Sequence, residues 1–308
     1  MNAALTRLDA TPNRATLVIA LTALCFGTVP LFARELLAAG LSPEGVALYR
    51  FALALPLALL ALPRERRLLR PALAMVGGGM AMGLGWTAYL RVIEEVPLAA
   101  AGVVYLSYPL FVVVLARFAL GRGLTTRALL SAGLVLGAGT LTLMGGEGGG
   151  FAFDWVLRCL PVPIGFALVV VLLAEADPRL SVGERWASVA VGATFGLASL
   201  SLVGDGAGLL PSAPGVWWLL LAMMLVTTAI PQWLHTRAIR LVGAARAPTA
   251  GALELPTMTA VGWLAFGERP AATGIAAGIL IVAAVVISPD VTPNRRRQRS
   301  GWTGREPI

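Results

Sequence analysis

The feature that most constrains the fold is a series of apolar blocks, each about as long as a membrane is thick. Blocks such as "ATLVIALTALCFGTVPLFA" (15–33) and "GILIVAAVVI" (278–287) contain no charged residue. The chain of 308 residues is 57% hydrophobic and 13% charged, whereas soluble domains carry about 25% charged residues. An α-helix needs about 20 apolar residues to cross the hydrocarbon core. The sequence therefore predicts an all-α polytopic membrane protein.

Pro and Gly residues separate the apolar blocks and divide the chain into ten predicted transmembrane helices. The first block is kept as a span rather than a signal peptide, because it lacks a small-residue cleavage site and continues into Arg34 and Glu35. The predicted spans, numbered one to ten in chain order, are 15–36, 43–62, 71–92, 97–119, 125–145, 153–175, 184–204, 215–236, 244–266 and 271–288.

The basic residues are distributed unequally between the two sides of these spans. The net charge is +8, and all 24 basic residues are arginine. Eighteen of them lie at the termini and in one set of alternate loops, whereas the opposite loops hold two, Arg91 and Arg269. Because cytoplasmic loops are enriched in basic residues, we expect both termini in the cytoplasm, with a basic tail at 291–308, and localisation to the bacterial inner (plasma) membrane. Membrane orientation accounts for the positive charge, so we predict no nucleic-acid partner.

Two segments of the chain repeat one another. Trp86 pairs with Trp233, and Pro109 pairs with Pro256, at an offset of 147 residues. "SAGLVL" (131–136) then pairs with "AAGILI" (276–281) at an offset of 145. Ordered self-similarity of this kind indicates duplicated structural units. The predicted units are 14–148 and 151–290, with five spans in each.

An odd number of spans per unit reverses the orientation of the second unit in the membrane. The prediction is a 5+5 inverted repeat with a pseudo-two-fold axis in the membrane plane, an architecture typical of secondary transporters. Such a fold places similar gates on both sides of a central site, which is a mechanism for alternating access. We therefore predict a secondary active transporter of a small organic solute.

Three stretches carry a resemblance to a known family. They are "LYRFALALPLALL" (48–60), "YPLFVVVLARFALG" (108–121) and "LPTMTAVGWLAFGERPAATGIAAGILI" (255–281). In these residues the chain resembles the drug/metabolite transporter superfamily, specifically its ten-helix EamA-type members, over roughly residues 14–290. The resemblance extends to the Phe-Gly-Glu ending of span nine. Span four departs from it, because "LGRG" places Gly121 or Arg122 where span nine has Glu268.

The resemblance implies export of small metabolites such as amino acids. Sugar phosphates, nucleotide sugars and cationic drugs are the alternative substrates. The expected partners are a small-molecule substrate and the lipid bilayer, with proton coupling as an option, and the sequence leaves the oligomeric state open.

Glu254 is the strongest candidate for a functional charge. It lies about ten residues into span nine, in an otherwise apolar run. Ionisable residues at that depth usually face the protein interior or a wet cavity. Glu254 is a candidate counter-charge for an amino group or a proton carrier, and the alternative is a hydrogen-bonded structural glutamate. It stands two residues before Pro256, whereas the resemblance places the acidic residue immediately before that proline. Glu268, at the end of the span, is predicted to be structural.

Further candidates for substrate binding come from spans two, three, four and eight. Aromatic and polar side chains at matching depths could line a central cavity or form gates, although interfacial aromatic belts are an alternative. Arg50 could bind a carboxylate, or pair with an acidic residue or carbonyl groups. Pro109 and Pro256 are predicted to kink their helices, because proline removes a backbone hydrogen bond. The substrate-binding candidates are Glu254, Tyr105, Ser107, Tyr108, Trp86, Tyr89, Gln232, Trp233 and Arg50.

Other patterns argue against catalysis. One histidine and two separated cysteines provide no metal-ligand spacing, so we predict no metal, no cofactor and no enzymatic activity. "GGGMAMG" (77–83) lacks the lysine of a phosphate-binding loop. A membrane-embedded enzyme or a receptor is the alternative class. Four glycine pairs, Gly79–Gly83, Gly133–Gly137, Gly192–Gly196 and Gly274–Gly278, predict close helix packing.

Overall fold

The computed structural model describes residues 11–92, 104–105, 107–120, 125–144, 157–201, 208–211, 213–244, 246–267 and 272–287. Within these ranges the protein is helical and contains no β-strand, which confirms the predicted fold class. Glu268, Arg122, the segment 145–150 and the tail 291–308 lie outside the described residues. The helices are α1 (Pro12–Gly27), α2 (Val29–Ala38), α3 (Pro43–Ala52), α4 (Leu55–Leu60), α5 (Arg66–Val92), α6 (Tyr108–Leu120), α7 (Thr126–Met144), α8 (Pro161–Ala174), α9 (Val182–Ser201), α10 (Pro214–Met224), a π-helical segment (Leu225–Ala229), α11 (Ile230–Val242), α12 (Arg246–Gly251), α13 (Glu254–Phe266) and α14 (Ala272–Ile287).

Helices overlap all ten predicted spans. Among the described residues, five helical segments are long and apolar enough to cross a membrane, and they correspond to spans one, two, three, six and eight. Shorter apolar helices occupy spans four, five and ten. The count of ten crossings and the inverted repeat remain predictions.

Four spans are broken near their middles instead of running as single helices. Span one breaks at Thr28, span two at 53–54 and span nine at 252–253, and span eight contains the π-helical segment. The helices that follow these interruptions are α2, α4, α11 and α13, and each has a proline within its first three residues. Proline has no N–H to continue the preceding hydrogen-bond ladder, but it fits the first turn of a helix.

Spans three and seven, by contrast, are the continuous helices α5 and α9, and they pack closely against one another. A methyl group at Gly192 would overlap the carbonyl oxygen of Val76 and approach Met80 N at 2.8 Å. Gly79, Gly83 and Gly196 meet the facing backbone in the same way. Small residues thus allow the two backbones to touch, as the sequence predicted for these two pairs.

The other two glycine pairs do not behave as predicted. Nothing lies within 4 Å of a methyl group placed at Gly133 or Gly137 on α7. Gly274 and Gly278 on α14 have only ordinary van der Waals contacts, the nearest at 3.7 Å. α7 packs against α14 through other residues, including Val135, so the predicted close packing at these pairs is wrong. A spacing of four residues identifies a helix face but not the neighbour that covers it.

A glycine also brings α5 and α8 into contact beside the candidate site. A methyl group at Gly85 would stand 2.6 Å from the carbonyl oxygen of Pro161. At Gly165 it would stand 2.8 Å from the carbonyl oxygen of Ala81. The close approach places the aromatic end of α5 next to the first turns of α8.

Candidate functional site

Glu254 is the first residue of α13, directly after the break in span nine. The hydroxyl group of Tyr105 hydrogen-bonds with its carboxyl group, and the positive charge of Arg50 acts on it from α3. Gly27, at the end of α1, leaves room for this turn, because a methyl group there would lie 2.9 Å from the carbonyl oxygen of Glu254. The breaks of spans one and nine therefore meet at the residue that carries the charge.

Five aromatic rings pack into one cluster beside Glu254, and we call Trp86, Tyr89, Tyr105, Tyr108 and Phe166 the aromatic cluster. Tyr105 is its centre, with ring centroids 5.3 Å from Trp86, 5.6 Å from Tyr108 and 6.0 Å from Phe166. The rings of Tyr108 and Phe166 meet edge to face at 4.8 Å. The electron-rich faces of such rings attract cations, so the cluster and the carboxylate favour the same kind of ligand.

Tyr108 links the aromatic cluster to span nine. Its hydroxyl donates a hydrogen bond of 2.8 Å to the carbonyl oxygen of Pro248 in α12. Gly251 lies against the same hydroxyl, which would be 2.7 Å from a methyl group at that position. The bond ties α6 to the short helix that precedes the break, close to Glu254.

Arg50 is held by the π-helical segment of span eight. Its Nε donates to Oγ1 of Thr228 at 3.0 Å, and its Nη2 donates to the carbonyl oxygen of Thr227 at 3.0 Å. The guanidinium also lies 5.7 Å from the ring centroid of Phe51. Two of its donor groups therefore have protein partners, in agreement with the pairing to carbonyl groups that the sequence offered as one interpretation.

The structure brings six of the nine predicted substrate-binding residues together: Glu254, Tyr105, Tyr108, Trp86, Tyr89 and Arg50. Three others lie apart from these contacts. Ser107 donates to the carbonyl oxygen of Val104 at 2.6 Å and so closes the turn before α6. Trp233 packs against a separate cluster that includes Ala54 and Ala58.

Gln232 has a buried Oε1 atom for which the described residues provide no hydrogen-bond partner. The two predicted kink positions lie at helix starts. Pro109 is the second residue of α6, and Pro256 is the third residue of α13.

Sequence reasoning missed Phe166, Thr227 and Thr228. The two threonines had a signal, since they are adjacent polar residues in the apolar run "LLLAMMLVTTAIP" (219–231). Phe166 had none, because one phenylalanine in an apolar helix does not reveal which way it points. Within the described residues, no group of three or more His, Cys, Asp or Glu side chains could hold a metal ion.

Comparison with known proteins finds a family match for the first part of the chain. Residues 13–144 match the model of the EamA-like transporter family, which covers most of the first predicted unit. Comparison with curated proteins gives no significant match.

Twenty-nine chains of solved structures match significantly. One, described only as the crystal structure of a protein, aligns with a TM-score of 0.73 and 17% identity, over 89% of this chain and 97% of that chain. At this identity the likeness establishes the fold alone. The family match confirms, for residues 13–144, the resemblance found in the sequence, and it is consistent with a multi-pass membrane transporter of the drug/metabolite transporter superfamily.

Proposed function

We propose that the protein is a secondary active transporter that exports small organic metabolites carrying an amino group, such as amino acids, by alternating access. The observation that carries this proposal is the environment of Glu254. A carboxylate at a helix break, bonded by Tyr105 and beside aromatic rings, can bind an ammonium group or a proton. Arg50 stands near enough to balance the charge when the site is empty.

The broken spans support a mechanism of alternating access. Three members of the aromatic cluster, Tyr89, Tyr105 and Tyr108, are buried, so a substrate can contact these rings only after side chains or helices move. Spans one, two, eight and nine each have an interruption at which one half can bend relative to the other. Discontinuous helices around a central site are a recurring feature of secondary transporters.

The pattern of helix contacts supports the two-fold arrangement of the units. If span n corresponds to span n+5, the packing of α5 on α8 has its counterpart in the packing of α11 on α1. The packing of α6 on α8 likewise corresponds to that of α12 and α13 on α1. The pairs α7–α14 and α9–α3 map onto themselves, as contacts across an axis must.

The charges of the site discriminate among the alternative substrates. A carboxylate repels the phosphate groups of sugar phosphates and nucleotide sugars, and this disfavours both classes. Cationic drugs share the ammonium group with amino acids, so they remain the second candidate, favoured by the aromatic cluster.

The decisive experiment is transport by the purified protein in liposomes. A panel of labelled amino acids, cationic amines and sugar phosphates is tested with and without a pH gradient. We expect accumulation or counterflow of a solute with an amino group. Transport of sugar phosphates alone, or of no solute in the panel, would contradict the proposal.

The same assay tests Glu254 directly. Glu254→Gln keeps the shape of the side chain but removes its charge. We expect transport to fall roughly 10- to 100-fold, or to lose its dependence on the pH gradient, because a hydrogen bond to a charged group contributes about 1.5–3 kcal/mol. Glu35→Gln is the matched control, since Glu35 is exposed on α2. Normal, pH-sensitive transport by Glu254→Gln would exclude both roles of this carboxylate.

The proposed topology has both termini in the cytoplasm of a bacterial cell. A single cysteine added at either end should resist a membrane-impermeant thiol reagent in intact cells and react after lysis. Labelling of either end in intact cells would contradict this orientation.

A further inference from the structure

The π-helical segment of span eight depends on a side chain from another span. A π-helix is rare and occurs mostly as a single turn, frequently at functional sites. In Leu225–Ala229 the carbonyl oxygen of Thr227 and the hydroxyl of Thr228 both accept hydrogen bonds from Arg50 of α3. We call this pair of bonds the arginine clamp.

The arginine of the clamp interacts electrostatically with a charge that lies on a third span. Among the described residues, Glu254 of α13 is the carboxylate whose charge acts on Arg50. Arg50 is partly buried, and removing a guanidinium's counter-charge from such a site is unfavourable. The charge of Glu254 and the acceptor groups of the π-helical segment therefore act on the same guanidinium.

Tyrosine hydroxyls and one cation surround Glu254. Tyr89 on α5, Tyr105 before α6 and Tyr108 on α6 interact electrostatically with its carboxylate. Among the described residues, Arg50 is the positively charged neighbour that acts on Glu254. Neutralising Glu254 consequently leaves Arg50 as the uncompensated charge in this group.

We propose that Arg50 is a positioning residue that transmits the charge state of Glu254 to the joint in span eight. When a proton or a substrate ammonium neutralises Glu254, Arg50 loses its counter-charge and releases Thr227 and Thr228. The π-helical segment is then free to rearrange, and span eight bends at that point. This inference rests on the proposed binding role of Glu254, but its structural consequence can be measured without a substrate.

Hydrogen–deuterium exchange of the full-length protein in lipid nanodiscs tests the proposal. The readout is the exchange rate of a peptide that contains 225–229. We expect Glu254→Gln to accelerate exchange roughly tenfold, as Thr228→Val does by removing one bond of the clamp. Glu254→Asp, which keeps the charge, should exchange like the wild type. The double variant Glu254→Gln/Thr228→Val should be no faster than the faster single variant, because both changes open the same clamp.

Thr227→Val is the matched control for the clamp. The Thr227 hydroxyl bonds to the carbonyl oxygen of Met223 in its own helix, and the substitution leaves its backbone carbonyl in place for Arg50. Wild-type exchange in Glu254→Gln, or equal acceleration by Thr227→Val and Thr228→Val, would overturn the proposal. If Thr228→Val does not fold, the exchange rates of Glu254→Gln and Glu254→Asp can still be compared, and this comparison alone tests the proposal. The transport assay reports separately on Glu254, so loss of the clamp and loss of the transport role are distinguishable.

Discussion

Two pairs of spans in this protein are built in contrasting ways. Spans three and seven are continuous helices, α5 and α9, whose backbones touch through glycines. Spans one and nine are each broken, and their breaks meet at Gly27 and Glu254. Touching backbones cannot slide without overlap, whereas broken helices can change angle at their joints. If the protein works by the alternating access proposed above, we expect spans three and seven to form the fixed frame and the broken spans to move against it.

The largest effect is expected in the fixed frame. Gly192→Ala places a methyl group against the backbone of Val76, where no flexible side chain can yield. We expect a loss of about 3 kcal/mol in the free energy of unfolding, the upper range for overpacking. Thermal unfolding followed by size-exclusion chromatography measures it.

Gly133→Ala is the matched control for this prediction. The position is exposed and nothing lies within 4 Å of the added methyl group, so stability should change by less than about 0.5 kcal/mol. Equal destabilisation by both variants would mean that the contrast in packing is not real.

A smaller effect of another kind is expected at the site. Tyr105→Phe removes the hydroxyl that hydrogen-bonds with Glu254 and keeps the ring in the aromatic cluster. We expect transport kcat/KM to fall roughly tenfold, which corresponds to about 1.4 kcal/mol, with thermal stability close to the wild type. If Tyr105→Phe lowers stability as much as Gly192→Ala does, the site belongs to the frame rather than to the moving part.

The smallest effect is expected at the loop that joins α8 to α9. Arg179 donates hydrogen bonds to Asp177, and this pairing lowers the pKa of the Asp177 carboxyl. A lowered folded-state pKa contributes stability that is present above the ordinary value, about 3.9, and is lost as the pH falls through the folded value. Arg179 is exposed and Asp177 is only partly buried, so Asp177→Asn should lower the melting temperature by only about 1 °C at pH 6.

A pH series provides the check on this last prediction. The difference between wild type and Asp177→Asn should shrink as the pH falls below about 4. A difference that grows toward low pH would contradict the sign of the pKa change.

Much of the fold could be predicted because the membrane imposes simple rules. Apolar blocks of sufficient length must be helices there, since backbone groups cannot remain unpaired in lipid. The prolines in turn mark the breaks of spans one, two and nine. The π-helical segment could not be predicted, because Arg50 stabilises it from a residue 178 positions away.

For the candidate site, the sequence indicated how far along its span each residue lies, but not which neighbours its side chain contacts. Trp86 and Trp233 are paired in the predicted repeat, yet Trp86 packs on Tyr105 and Trp233 packs against a cluster that includes Ala54 and Ala58. A repeat assigns residues to matching heights on matching helices. It does not specify the neighbours of a side chain, because the residues that surround paired positions differ between the two predicted units.

The close contact at Gly27 has a mechanical consequence. Because Gly27 carries no side chain, the breaks of spans one and nine are in contact near the middle of both spans, where the carbonyl oxygen of Glu254 and the side chain of Thr257 lie against Gly27. If the two spans turn about this contact, the distance between them increases on one side of the membrane and decreases on the other. In the alternating-access mechanism proposed above, such a pivot would open the protein to one side at a time and would limit leakage of solute without a separate gate.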